Sequence, residues 1–186
     1  MPSVNWSSAC ADYLRLGAGA AGTSGALLAS IGGAVQGLME RYISRTFDAV
    51  TYTAEAYDGN DRQTLYLRHD PVTAVSSLTI GGTAVPSTDY VIHANGAAIK
   101  LLGGVFHAGT ANVLVTYTAG LSGPDGPPPE LVQAGVSWVA VIWKDRDRSG
   151  ISSESAGGQN VTFTREMPPI TKIILDKWKR GYVPSV

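Results

Sequence analysis

Cysteine is nearly absent: Cys10 stands alone among 186 residues, so no disulfide can close within the chain. That usage fits a reducing, intracellular setting, since oxidising compartments use cysteines in pairs. Excess charge of either sign is also missing, with 14 Lys and Arg against 15 Asp and Glu and a formal net charge of -1. A general nucleic-acid binder, whose affinity comes from clustered cations on phosphates, is therefore not expected. A protein that stays near DNA without gripping it is compatible with this balance. The three histidines, His69, His93 and His107, are dispersed and belong to no metal-spacing motif, so each is expected at a strand edge or turn. No basic segment followed by an apolar run opens the chain, and the sequons at Asn5-Trp6-Ser7 and Asn160-Val161-Thr162 are read as chance matches.

From Leu16 to Met39 there is no charged residue at all, and Gly33 to Gly37 has a GxxxG spacing. The run is nevertheless built of Gly, Ala, Ser and Thr, carries Gln36, and lacks aromatic or basic flanks. Such residues contribute little transfer energy, and a membrane helix is not expected.

What is present falls into zones. Residues 1–48 read as N-terminal helices: a short one around Ala9 to Leu16, then a longer one capped by Ser24. The longer helix carries Leu27, Leu28, Ile31, Val35, Leu38, Met39, Tyr42 and Ile43 on one stripe. Gly32, Gly33 and Gly37 weaken that helix by about 1 kcal/mol each relative to Ala, which suggests close approach of another backbone. Residues 49–119 change to the two-residue period of strands, with Asn95-Gly96 as a hairpin turn of the type that needs positive φ at both positions. Short strands this closely spaced predict a small antiparallel β lobe.

Residues 120–148 return to helix after Pro127-Pro128-Pro129, with Leu131, Val132, Gly135, Val136, Trp138, Val139, Ile142 and Trp143 apolar round most of the circumference. Val136 to Trp143 also has strand propensity, but the length of the run and its proline start favour helix. Residues 149–167 are polar and read as a flexible loop, protease-sensitive until assembly orders it. Residues 168–186 form a C-terminal helix and docking tail. One α+β domain overall is the expectation.

Chemistry is thinly represented. Gly17-Ala18-Gly19-Ala20-Ala21-Gly22 matches GxGxxG by letter, yet Asp12 to Leu16 is a poor buried strand and no second βαβ unit follows. No nucleophile elbow occurs, and Asp58, Asp61, Asp70, Asp89 and Asp125 all lie beside turn residues, where Asp caps the backbone. Catalytic, cofactor-binding and metal-ligating residues are therefore expected to be none, and no cofactor is implied. The C-terminal segment is richer: Ile170, Lys172, Ile173, Ile174, Lys177, Trp178, Lys179, Arg180 and Tyr182 interleave apolar, aromatic and cationic groups. Aromatic and Arg anchors dominate contact energies, so these residues read as a docking surface. The cations equally suit the negative end of a terminal helix whose isoleucine face packs inward.

The order of features carries a resemblance. Met39-Glu40-Arg41-Tyr42-Ile43 ends a helix and Arg45-Thr46-Phe47 follows. Then come Tyr57-Asp58-Gly59, Leu65-Tyr66-Leu67-Arg68-His69-Asp70-Pro71-Val72, Asp89-Tyr90, Asn95-Gly96 and Val115-Thr116-Tyr117-Thr118-Ala119-Gly120-Leu121, before a proline-led helix at Glu130-Leu131. From about residue 24 to about 148 the chain resembles the head–tail connector, or head-completion adaptor, proteins of long-tailed bacteriophages. The resemblance implies a helical bundle with an inserted β lobe, and a homo-oligomeric, dodecameric ring on the portal protein at the neck of the virion. Such a ring extends a channel through which DNA passes without sequence-specific binding, and offers a platform to a tail or stopper protein. It further implies a C-terminal tail that reaches into the portal, which fits Pro168 to Val186 and makes the docking residues named above the portal-docking candidates; Leu38, Tyr42, Trp138 and Trp143 are our candidates for packing between subunits. A small β-rich ligand- or carbohydrate-binding module is the alternative. It predicts Tyr52, Tyr57, Tyr66 and Tyr117 on one sheet face beside a concave pocket.

Overall fold

A computed structural model describes residues 4–16, 18–123, 126–146, 153–156, 159–162 and 167–180. The fold is α+β, with four α-helices and antiparallel sheets among the described residues. The chain divides into two compact units, Met1–Ser44 with Pro127–Lys179, and Arg45–Gly126 with Arg180–Val186.

The first unit is helical. Helix α1 (Trp6–Tyr13) starts earlier than the expected Ala9 because Asn5 caps it, its side-chain oxygen accepting the Ser8 N–H at 3.2 Å. Helix α2 (Ala18–Ile43) begins upstream of Ser24, so Ser24 is an interior residue and not its cap. Glycine propensity loses here to packing, since α1 lies against α2 and Ser7 approaches Gly25. Within α2, Leu28, Val35, Met39 and Ile43 are fully buried, whereas Leu27 and Leu38 are 47% exposed and fall outside the buried stripe.

Helix α3 (Pro129–Asp145) follows Pro128 with proline in its first turn, and the strand alternative for Val136 to Trp143 is not taken. Its apolar circumference has a local explanation: α3 contacts α1, α2 and α4 (Pro169–Trp178), burying Leu131, Ala134, Val136, Trp138, Val139, Ala140 and Trp143. Trp138 and Trp143, named as candidates for packing between subunits, are thus covered by the chain's own helices.

Trp6 organises the unit. A Cβ added at Gly32 of α2 or Gly135 of α3 would overlap the Trp6 side chain, so the two glycines make the slot that admits the indole. Its Nε1–H donates to Gln36 Oε1 at 2.9 Å, and Gln36 Nε2 donates onward to Glu40 Oε1 at 3.1 Å, which satisfies the buried amide. The close approach expected at the glycines of α2 is thus made at Gly32, by a ring and not by a backbone. At Gly33 and Gly37 an added Cβ would meet no described atom within 4 Å.

The second unit is β. Strands β1 (Val50–Gly59), β2 (Thr64–Tyr66), β3 (Val72–Ile80), β4 (Thr83–Ala84), β5 (Tyr90–His93), β6 (Ala98–Leu101) and β7 (Gly109–Ala119) form a four-stranded sheet in the order β1-β7-β3-β4 and a three-stranded sheet in the order β2-β6-β5. One apolar cluster unites them, including Leu65, Leu78, Ile99, Phe106, Val113 and Val115. The β5–β6 turn is as the sequence predicts: Asn95 and Gly96 take φ of 55° and 83°, and the Ala97 N–H closes on Ala94 O at 3.1 Å. Gly96 is doubly constrained, because an added Cβ would stand 2.8 Å from the Val72 nitrogen.

In the polar stretch expected as a loop, β8 (Ser153–Ala156) pairs antiparallel with β9 (Gln159–Thr162). The remaining residues from 147 to 166 lie outside the described ones.

Candidate assembly and docking surfaces

Helix α4 turns its isoleucines outward. Ile170 and Ile173 are 56% and 57% exposed, while Thr171 and Leu175 are fully buried. The inward-packing isoleucine face considered from the sequence is therefore replaced by Thr171 and Leu175, with Ile174 and Trp178 half-buried beside them. Thr171 Oγ1 donates to the Ala134 carbonyl at 3.0 Å, which lets a polar residue lie in the core. Lys172 and Lys177 are exposed on the same helix.

The end of α4 is pinned within the helical unit. Trp178 Nε1 donates to Glu130 Oε2 at 3.2 Å, and Lys179 Nζ stands 5.0 Å above the Tyr42 ring. Tyr42 donates to Asp176 Oδ1 at 2.5 Å, and that hydrogen bond, ahead of desolvation, raises the pKa of the Tyr42 hydroxyl. Arg180 is held in the β unit, and Tyr182 lies outside the described residues.

The four residues expected between subunits separate. Leu38 is 47% exposed and open to a neighbour. Tyr42 is half-buried beside α4, and Trp138 and Trp143 are buried in the subunit, Trp143 under the Arg146 guanidinium at 3.7 Å.

Inside the β unit lies a polar cluster that sequence reasoning missed. Glu55 Oε2 accepts from Tyr57 at 2.6 Å and Tyr117 at 2.5 Å, and the two hydroxyls lie 2.9 Å apart. Arg68 Nη1 donates to Glu55 Oε1 at 3.1 Å, and its guanidinium sits 4.5 Å from the Tyr57 ring centroid. His69 stacks on Tyr52 at 3.8 Å with rings nearly parallel, and Tyr52 in turn packs on Tyr117.

Burial pulls Glu55 toward the neutral form, but the hydrogen bonds from Tyr117, Tyr57 and Arg68, with the Arg68 charge, hold its pKa below the ordinary value. Desolvation, chiefly, pushes Tyr57 up to about 12 and Tyr117 higher still. Groups shifted this way stay locked, Glu55 charged and both tyrosines neutral, which suits structure better than proton transfer. The tyrosine platform required by a ligand-binding module is not formed. Tyr57 and Tyr117 are sealed inside, and Tyr66 lies in the other sheet.

Asp70 departs from the backbone-capping role expected of it. Its side chain is 3% exposed and lies between two cations, Arg45 Nε at 2.7 Å and Arg180 Nε at 3.0 Å. Asp58 and Asp61 do cap backbone, though across the fold, accepting the Ala111 and Ala108 N–H groups at 2.6 and 2.8 Å. Asp125 lies outside the described residues. Arg68, His69 and Asp70 sit in the stretch that carries the family resemblance, but their spacing gives no sign that Arg68 and His69 join the Glu55 cluster while Asp70 lies between Arg45 and Arg180.

The nucleotide-motif lead ends at the backbone. Gly17 lies outside the described residues, Ala18 onward is helix, and the segment before it is helix α1 and not a strand. Among the described residues no group of three His, Cys, Asp or Glu side chains could hold a metal, and no helix is long and apolar enough to cross a membrane.

Comparison with known proteins gives the fold a setting. No curated protein matches the chain. The neck of an empty gene transfer agent particle, computed with C6 symmetry, contains a chain 20% identical with a TM-score of 0.61, covering 100% of this chain and 94% of that one. A chain of the native gene transfer agent virion is 21% identical at a TM-score of 0.59, covering 100% and 95%. The native neck computed with C12 symmetry gives 18% identity and 0.54, covering 87% and 85%. The family described as head completion protein matches residues 12–181. With that match running from the end of α1 through α2, the β unit, α3 and α4, the chain belongs to the head completion protein family.

Proposed function

We propose that this protein is a structural, non-catalytic head–tail adaptor. Its copies form a ring, dodecameric in our reading, seated on the portal protein in the neck of a phage-like particle. The ring extends the DNA channel and gives a tail or stopper protein its platform. The observation that carries this reading is the family match over residues 12–181. Likeness of fold to neck chains from particles computed with C6 and C12 symmetry, over 100% and 87% of the chain, supports a ring. A formal net charge of -1 suits a wall past which DNA must slide, because strong cationic contacts would hold it by counterion release.

The docking role falls to α4 and the residues after it. Removing everything from Ile170 onward would be a poor test, since Thr171 and Leu175 are core residues. Ile170→Asp with Ile173→Asp is the cleaner variant, because both side chains are more than half exposed. The expected result is a folded subunit that no longer co-sediments with purified portal rings. Undiminished co-sedimentation would remove α4 from the docking surface. Electron microscopy of wild-type protein mixed with portal rings tests the ring itself; persistent monomers beside bare portals would overturn it.

A further inference from the structure

One member of the expected docking set is already occupied. Arg180, the first residue after Lys179 and part of the β unit, has its guanidinium against the Leu67 carbonyl (Nη2 at 2.7 Å), the Arg68 carbonyl and the Asp70 carboxylate. A guanidinium spent on these three acceptors cannot serve a partner at the same time. We propose that Arg180 and Asp70 form a releasable latch. It holds the start of the C-terminal segment on the β unit of the free subunit, and docking of that segment must displace it. The docking half of this inference rests on the neck reading above; the latch itself does not.

The construction of the site argues for release. Two arginines share one buried carboxylate, and they are unequal. Arg45 Nε donates a hydrogen bond to Oδ1 at 2.7 Å, whereas Arg180 Nε stands 3.0 Å from Oδ2 as an ion pair without hydrogen-bond alignment. Breaking a buried ion pair is ordinarily expensive because it strands an uncompensated charge. Here departure of Arg180 leaves Asp70 still paired with Arg45. The Arg180 side chain is 20% exposed, although its Nε is buried, so part of it already meets water. The Arg68 carbonyl belongs to an exposed residue, where water can replace the lost donor, while the Leu67 carbonyl is part-buried. A carboxylate on the partner would complete the exchange, because it offers Arg180 the same bidentate chemistry.

The test uses the full chain with a nitroxide on Val183→Cys. Cys10 is buried and its thiol is pushed up to about 11, so labelling goes to the introduced thiol. The latch predicts an immobilised spectral component in the wild-type background that is lost in Arg180→Gln and in Asp70→Asn. Asp70→Asn keeps an acceptor for Arg45, and Arg180→Gln alters only a terminal residue. An unchanged thermal transition in Arg180→Gln guards against reading misfolding as release. A label as mobile in the wild-type background as in Arg180→Gln would overturn the latch.

In the second arm, Asp70→Asn retains Arg180 but removes its ionic partner and leaves only the Leu67 and Arg68 carbonyls to hold it, so its affinity for purified portal rings should rise by up to about tenfold, the factor recovered when a competent state is no longer a minor one. Unchanged or weaker binding would refute the competition. If neither wild type nor Asp70→Asn binds portal rings, the neck reading fails while the spectra still decide the latch.

Discussion

The two units reach stability by different means. The helical unit is fitted by volume: one indole occupies a slot between Gly32 and Gly135, and a stripe of Leu28, Val35, Met39 and Ile43, broken only by the hydrogen-bonded Gln36, completes the contact. The β unit is fitted by hydrogen bonds. At one end of its core a carboxylate, two tyrosines and an arginine satisfy one another where apolar side chains alone would have served packing. A volume fit tolerates little change of shape, whereas a polar network tolerates little change of protonation.

Changes of shape should give the largest effects, and in the helical unit. Trp6→Ala empties a slot that only a large ring fills and should cost about 3–5 kcal/mol, as aromatic-to-alanine changes in cores do. Gly135→Leu acts from the other side by driving a branched chain into the indole, with an expected loss of roughly 1–3 kcal/mol from overpacking. Urea unfolding would measure both. Losses under about 0.5 kcal/mol would mean that Trp6 merely covers the bundle, since changes of that size are typical of the surface.

Loss of an acceptor should come next, and in the β unit. Glu55→Gln removes the charge to which Tyr57, Tyr117 and Arg68 donate, and hydrogen bonds to a charged group are worth about 1.5–3 kcal/mol. Tyr117→Phe should cost roughly 1 kcal/mol, because one neutral donor disappears and Tyr57 remains.

Protonation sharpens the contrast. Glu55 has a folded pKa below its ordinary 4.5, so its contribution is present above that value and fades as pH falls through the folded one. Tyr57 has a folded pKa raised from 10 to about 12, so its contribution is present below pH 10 and is lost as pH rises across that interval. Stability of the β unit should therefore form a plateau from about pH 5 to 10 that drops at both ends. Tyrosine absorbance during an alkaline titration checks the upper edge. Ionisation of all eight tyrosines near pH 10 would contradict a sealed Tyr57–Tyr117 pair.

The same contrast explains what was legible in the sequence. Local rules marked the Asn95-Gly96 turn and the proline-led start of α3, because a turn needing positive φ and a first helical turn that suits proline leave residue-by-residue signatures. The Trp6 slot joins residues 6, 32 and 135, and the Asp70 site joins 45, 70 and 180; no periodicity links positions so distant. The Gly- and Ala-rich start of α2 misled in the other direction. Its propensity is poor, and α1 packing against it supplies what propensity lacks. The apolar circumference of α3 was read correctly as buried, but sequence alone could not tell a neighbour's surface from the chain's own helices.

That last distinction yields the smallest effect on stability and the largest separation of roles. Trp138 and Trp143 are buried in the subunit, whereas Leu38 is 47% exposed on α2. Replacing either tryptophan with alanine should destabilise the lone chain, so neither can report cleanly on ring formation. Leu38→Ser should leave the unfolding transition within about 0.5 kcal/mol, as surface changes do. If Leu38 packs against a neighbouring copy, that variant should still shift the oligomer distribution toward monomer in native mass spectrometry. A distribution identical to wild type, with stability also unchanged, would place the subunit interface elsewhere than on this face of α2.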